Sequence, residues 1–187
     1  MKKIDYLDII KHNLDKRNIS VNIYDELPFH GEYDFCNKSI NIKKDKYFFY
    51  TLLHEYSHVL QKEKNNIWRY GIYKNKMAHD HIDGWINNDI YYADYELRYI
   101  FSKAIAIEKD CEEIAISIIK ENNIDLDIDQ YIKRVNSCLF YFNYQYNTKS
   151  KLIKAPYEYK EIIDSMPKNL QNNYFNNSFM EVFESVK

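Results

Sequence analysis

Leu52-Leu53-His54-Glu55-Tyr56-Ser57-His58-Val59-Leu60 is the stretch around which the chain is organised. It sets a His-Glu-x-x-His pentapeptide inside an apolar helical pattern. Phe48, Leu52, Tyr56, Val59 and Leu60 recur at i, i+4, i+8, i+11 and i+12, the spacing of one face of an amphipathic helix. Two imidazoles four residues apart lie one turn apart on the same helix face, so both can reach one metal ion. Glu55, directly after the first His, then lies within reach of a water activated there. The pattern is that of a zinc hydrolase helix, with His54 and His58 as ligands and Glu55 as general base.

Working outward on the C-terminal side, residues 91–121 read as a long helix. Phe101, Ala104, Glu108, Cys111, Ala115 and Ile118 form its seam, spaced 3-4-3-4-3. A carboxylate in an apolar seam is costly to bury unless it is paired or bound to a metal. Ala104, Cys111 and Ala115 are small enough to let this helix approach the metal helix closely. Glu108 is therefore the expected third ligand. Glu112, one turn on, is placed to accept a hydrogen bond from a ligand His and fix its tautomer. Two His and one Glu leave a fourth position open on tetrahedral zinc, as a catalytic site requires. Residues 65–90, which hold Trp68, His79, His81 and Trp85, show no clear periodicity and read as a long excursion, either a lid or a plain insertion. His79 and His81 are candidate transition-state donors or alternative ligands. A His about twenty residues after the pentapeptide is loosely similar to SprT-type metalloproteases. The residues after His58 exclude the metzincin pattern His-Glu-x-x-His-x-x-Gly-x-x-His.

On the N-terminal side, residues 3–17 carry a first amphipathic helix. Ile19 to Tyr24 and Ser39 to Lys43 alternate as strands, with a shorter strand at Glu32 to Cys36. Strand 39–43 directly precedes the metal helix. It is either a free edge for an extended substrate or an interior strand. Beyond residue 121, Asp127 or Asp129 can cap a helix running to about Tyr146. Pro156 and Pro167 bracket a short helix, and the Asn-rich tail 168–187 is a docked short helix or a partly ordered end.

Composition bounds the rest. A chain of 187 residues with 45% hydrophobic and 17% aromatic residues is a folded globule. The expected organisation is one domain over 1–187, with a core of about 1–121 and a helical extension of about 122–187. The formal net charge of −2 gives no nucleic-acid footprint and no anchor for an anionic membrane. Cys36, Cys111 and Cys138 form no C-x-x-C pair and read as reduced thiols of a cytoplasmic protein. No apolar run approaches a membrane span. The 19 Tyr, together with few Gly and Pro, fit codon bias from an AT-rich genome, or line a peptide-binding surface.

From about Gly31 to Ile119 the chain resembles the ImmA/IrrE-type metallopeptidases. The likeness rests on Gly31-x-Tyr33-Asp34, on Ile40-x-Ile42, and on a helix reading Phe49-Tyr50-Thr51-Leu52-Leu53-His54-Glu55-x-x-His58-Val59-Leu60. Downstream, Glu108-x-Asp110-Cys111-Glu112-x-Ile114-Ala115-x-x-Ile118-Ile119 resembles the family's Glu-x-Glu-Ala-Asn-x-Phe-Ala-x-x-Leu-Leu segment, whose metal-binding acidic residue falls on Glu108. The arrangement also looks like that of phage-encoded metallopeptidases of similar length. The resemblance implies an α+β, zincin-like fold, with a short three-stranded sheet packed with active-site and ligand helices. It implies a gluzincin-like zinc peptidase that hydrolyses a protein or peptide substrate, one of regulatory kind in known members. Two features depart from the family: a longer gap from His58 to Glu108, and no recognisable helix-turn-helix. The alternatives are an SprT-like protease with a His third ligand, and a zincin-fold binding or regulatory protein that does not need peptidase activity.

Overall fold

A computed structural model describes residues 3–64, 72–73 and 76–187. The fold is mixed α+β, with a small three-stranded sheet among helices. Its contacts group into two compact units, residues 1–66 with 110–126, and residues 67–109 with 127–187. One long helix contributes residues to both. Among the described residues no helix is long and apolar enough to cross a membrane.

The first unit opens with α1 (Lys3–Asp15), followed by β1 (Ser20–Tyr24), β2 (Gly31–Asp34) and β3 (Ser39–Lys43). β3 is the central strand. It pairs in parallel with β1, Val21 opposite Ile40, and antiparallel with β2, Tyr33 opposite Ile40. Of the two roles left open for strand 39–43 it therefore takes the interior one, and β1 and β2 are the edges. Ile40 and Ile42 share one face and are fully buried. The β2–β3 turn is tied by Asp34, whose Oδ1 accepts from the backbone N–H of Cys36 and Asn37.

The metal-motif helix is α2 (Phe48–Lys64). Asp45 prepares its start by accepting from the Tyr47 N–H and holding His30 Nδ1 at 2.6 Å. Gly31 lies where a Cβ would come within 2.4 Å of Thr51 Cγ2, so only glycine lets the helix approach the sheet this closely. α2 is more enclosed than a one-sided stripe implies. Besides Leu52, Leu53, Tyr56 and Val59, it buries Glu55, Ser57, His58 and Gln61. A helix buried on both its apolar and its polar faces must pair its polar groups internally. Ser57 donates to the Leu53 carbonyl and His58 meets Gln61 within α2, while the C-terminal part of a long helix supplies Asp110 to Gln61.

That helix runs from Asp94 to Glu121. Its second part, from Asp110 on, belongs to the first unit and buries Cys111, Ala115, Ile118 and Ile119. Its first part belongs to the second unit, where the chain enters through a two-stranded ribbon of β4 (Ile72–Tyr73) and β5 (Lys76–Met77). α3 (Ala78–Ile86) follows, and the long helix is α4. The sequence reading gave no helix at 78–86. It missed one because Ala78, His81 and Ile82 form the buried face, and a core His hides the apolar period. Residues 65–71 and 74–75 of the excursion, including Trp68 and Gly71, lie outside the described residues.

Ala78, Ile82, Tyr92, Leu97, Ile100, Phe101 and Ala104 form the core of the second unit, with Trp85, Phe142 and Tyr146 packed on it. α5 (Ile128–Thr148) is capped by Asp127, which accepts from the Gln130 N–H. A 3-10 turn at Pro156–Glu158, α6 (Lys160–Ser165) and α7 (Met180–Glu184) complete the chain. The tail is docked, with Tyr174 and Phe183 buried.

Candidate metal centre

His54 and His58 face one another. Their Nε2 atoms are 3.2 Å apart and their rings are nearly perpendicular, at 83°. Two nitrogens bound to one tetrahedral zinc at about 2.0–2.1 Å would stand about 3.3 Å apart, so the separation fits a shared metal. The helix sets it, because a four-residue step brings both side chains onto one face.

The outer nitrogens are both held. His54 Nδ1 lies 2.9 Å from Glu112 Oε1, in a contact only 13% exposed on the carboxylate side. His58 Nδ1 lies 3.0 Å from Gln61 Oε1, and Gln61 Nε2 donates to Asp110 Oδ2 at 2.8 Å. A carboxylate accepts only, so Glu112 makes His54 Nδ1 the donor and leaves its Nε2 with a bare lone pair. Such outer partners commonly orient metal-bound histidines. Two bare lone pairs 3.2 Å apart repel unless a positive charge, a proton or a metal ion, lies between them.

The electrostatics point the same way. Burial works against a charged His54, yet negative charge beside it, on Cys111 when that thiol is ionised and on the Glu112 carboxylate, outweighs that effect. Together these two groups hold its pKa well above the ordinary imidazole value. The surroundings of the ring thus favour a cation.

His54, His58 and Cys111 bring their donor atoms within 4.8 Å of one another, a group that could hold a metal ion. Cys111 is fully buried. Its Sγ lies 3.8 Å from His54 Nδ1 and donates to the His54 carbonyl at 3.3 Å. The sequence reads Cys111 as a small seam residue and a reduced thiol, and not as a ligand. Glu55, next to His54, is 6% exposed.

The other sequence-derived candidates lie in the second unit. Glu108 is half-buried and its Oε1 is 3.5 Å from His79 Nε2, so these two are brought together. His79 also packs edge-on against Phe142. His81 is buried, and its Nδ1 makes a short hydrogen bond with the Tyr92 hydroxyl. Gln61 and Asp110 were missed as site residues. The available signal was Gln61 itself, three residues after His58 and seven after His54, hence on the ligand face of the helix. Compared with protein-family models, curated proteins and solved structures, the chain matches none of them.

Proposed function

We propose that the chain is a zincin-type zinc metallopeptidase acting on a protein or peptide substrate in the cytoplasm. The observation that carries this reading is the approach of the two Nε2 atoms to 3.2 Å while both Nδ1 atoms are occupied. His54 and His58 are the metal ligands. Glu108 is the third, as a carboxylate set in an apolar seam one turn before Glu112. When bound, zinc polarises the scissile carbonyl and makes a water nucleophilic near neutral pH. Glu55 takes the proton of the attacking water and passes it to the leaving amine. His79 is the candidate donor to charge that develops on the substrate. Zinc is preferred over harder cations because two imidazoles suit it better than magnesium or calcium.

The test is direct. Purified protein should carry about one zinc per chain by elemental analysis. Glu55→Gln should keep that zinc and lose peptide hydrolysis by at least ~100-fold. Equal hydrolysis by the variant would sink the mechanism.

A second reading keeps the metal site but makes the protein a binding or regulatory module. It is favoured by Tyr91, Tyr95 and Tyr99, which stand 90%, 76% and 46% exposed at four-residue spacing. Exposed Tyr is a common contact residue at protein interfaces. On this reading Glu55→Gln leaves the biological function intact.

A further inference from the structure

We propose that Gln61 and Asp110 act as a positioning relay. The relay locks His58 in its Nδ1–H tautomer and so aims its Nε2 lone pair at the point that His54 Nε2 faces. The inference rests on reading the pair as a metal centre, although its first readout does not require a metal.

The relay follows from what each atom can do. The Asp110 carboxylate can only accept, so the Gln61 amide must turn its Nε2 toward it, as the 2.8 Å contact has it. That orientation leaves Gln61 Oε1 facing His58 Nδ1 at 3.0 Å. An amide oxygen carries no proton, so the ring nitrogen must donate. One acidic residue thus sets a ring tautomer through a neutral intermediary. The opposite tautomer would place two acceptors against each other at 3.0 Å and put an N–H where the metal nitrogen should be.

Three observations make this more than a packed side chain. Gln61 is completely buried, and an apolar residue of similar size would fill that space without any polar cost. It stands three residues after His58 and seven after His54, on the ligand face of α2. Lastly, the two histidines are supported differently. His54 meets a carboxylate directly, whereas an amide separates His58 from Asp110. The site already holds the buried Glu55 and the Glu112 carboxylate. A third carboxylate in direct contact would add an anion that must be desolvated beside them. The amide passes on the orientation and keeps the charge one residue away.

The experiment uses the full chain, first stripped of metal with a chelator. Long-range proton–nitrogen NMR at alkaline pH reads which nitrogen of neutral His58 carries the proton. Wild type should show Nδ1–H. Gln61→Leu should shift the ring toward Nε2–H, and zinc alone, titrated against a chromophoric chelator, should bind about 10–100-fold more weakly. Gln61→Glu should retain Nδ1–H, because a carboxyl oxygen facing the ring can still accept. Asp110→Leu frees the Gln61 amide to turn and should weaken the preference for Nδ1–H. A wild-type Nε2–H tautomer would overturn the proposal. So would an unchanged tautomer in Gln61→Leu or in Asp110→Leu. A purely structural Gln61 would lower the melting temperature and leave the tautomer alone. If wild type shows Nδ1–H but takes up no zinc, the relay stands and the metalloenzyme reading falls.

Discussion

Cys111 Sγ donates to the His54 carbonyl at 3.3 Å, which requires a protonated thiol. A zinc-bound sulfur is a thiolate, so this contact and metal ligation are exclusive states of one atom. On the proposed reading the third ligand is instead Glu108, whose Oε1 lies 3.5 Å from His79 Nε2. Replacing Glu108 with Ala should therefore lower bound zinc by ~10-fold or more, while Cys111→Ser should change it much less. Zinc stoichiometry after dialysis against a weak chelator checks the ranking, and the reverse order would make Cys111 the third ligand. This scale is also where the sequence is read most and least easily. His54, Glu55 and His58 are legible because their spacing is rare and chemically specific. Gln61 and Asp110 are not, because a single Gln or Asp on a helix is ordinary until a second helix lies against it. The 49 residues that separate them hide the contact.

At the scale of elements, α5 holds the C-terminal segment with two asparagines seven residues apart on one face. Asn136 is fully buried. Its Nδ2 donates to the carbonyls of Pro167 and Asn169, and its Oδ1 accepts from the Tyr174 hydroxyl. Asn143 Nδ2 donates to the Asn176 carbonyl. The tail has little regular structure, so these amides satisfy backbone groups that a helix or sheet would otherwise pair. Asn136→Ala removes the hydrogen bonds to two carbonyls and from the Tyr174 hydroxyl and should cost ~2–4 kcal/mol. Urea denaturation measures that loss. Hydrogen exchange should show it concentrated in residues 167–177, and a uniform loss across the chain would contradict this account. The helices at α1, α2, α4 and α5 were legible from their apolar period, and the strands from alternation. α3 was not, since its inward face carries His81 where the pattern needs an apolar residue. The position of β3 in the sheet was not legible either, because alternation reports one buried face and says nothing about how many neighbours a strand has.

For the whole molecule, the tyrosines set an alkaline limit. Burial is the main force pushing Tyr6 up to about 12, helped by nearby Tyr56 and Glu121. Burial likewise pushes Tyr141 up to about 12, against the opposing effect of its hydrogen bond from the Leu152 N–H. The unfolded chain ionises these phenols near the ordinary value of 10.0. Above that pH the unfolded state binds fewer protons than the folded one, so stability falls as pH rises. The contribution is intact below pH 10 and is lost on the way to about pH 12. Denaturation midpoints measured across this window should decline, and Tyr6→Phe and Tyr141→Phe should each flatten the decline. A flat wild-type profile would refute the assignment. Tyr6 belongs to the first unit and Tyr141 to the second, so each variant reports on its own unit.

The first unit is discontinuous in the chain, taking residues up to 66 and then 110–126. During synthesis His54 and His58 therefore leave the ribosome well before Asp110, Cys111 and Glu112. Until those residues follow, the two imidazoles have neither the carboxylate nor the relay that fixes their tautomers. A nascent chain truncated before residue 110 carries the whole His-Glu-x-x-His motif, yet it lacks the groups that orient the motif for a metal. On the proposed reading, a metal would therefore meet an oriented pair only after the second part of α4 has been translated, and a ribosome stalled within the intervening segment holds an unarmed site.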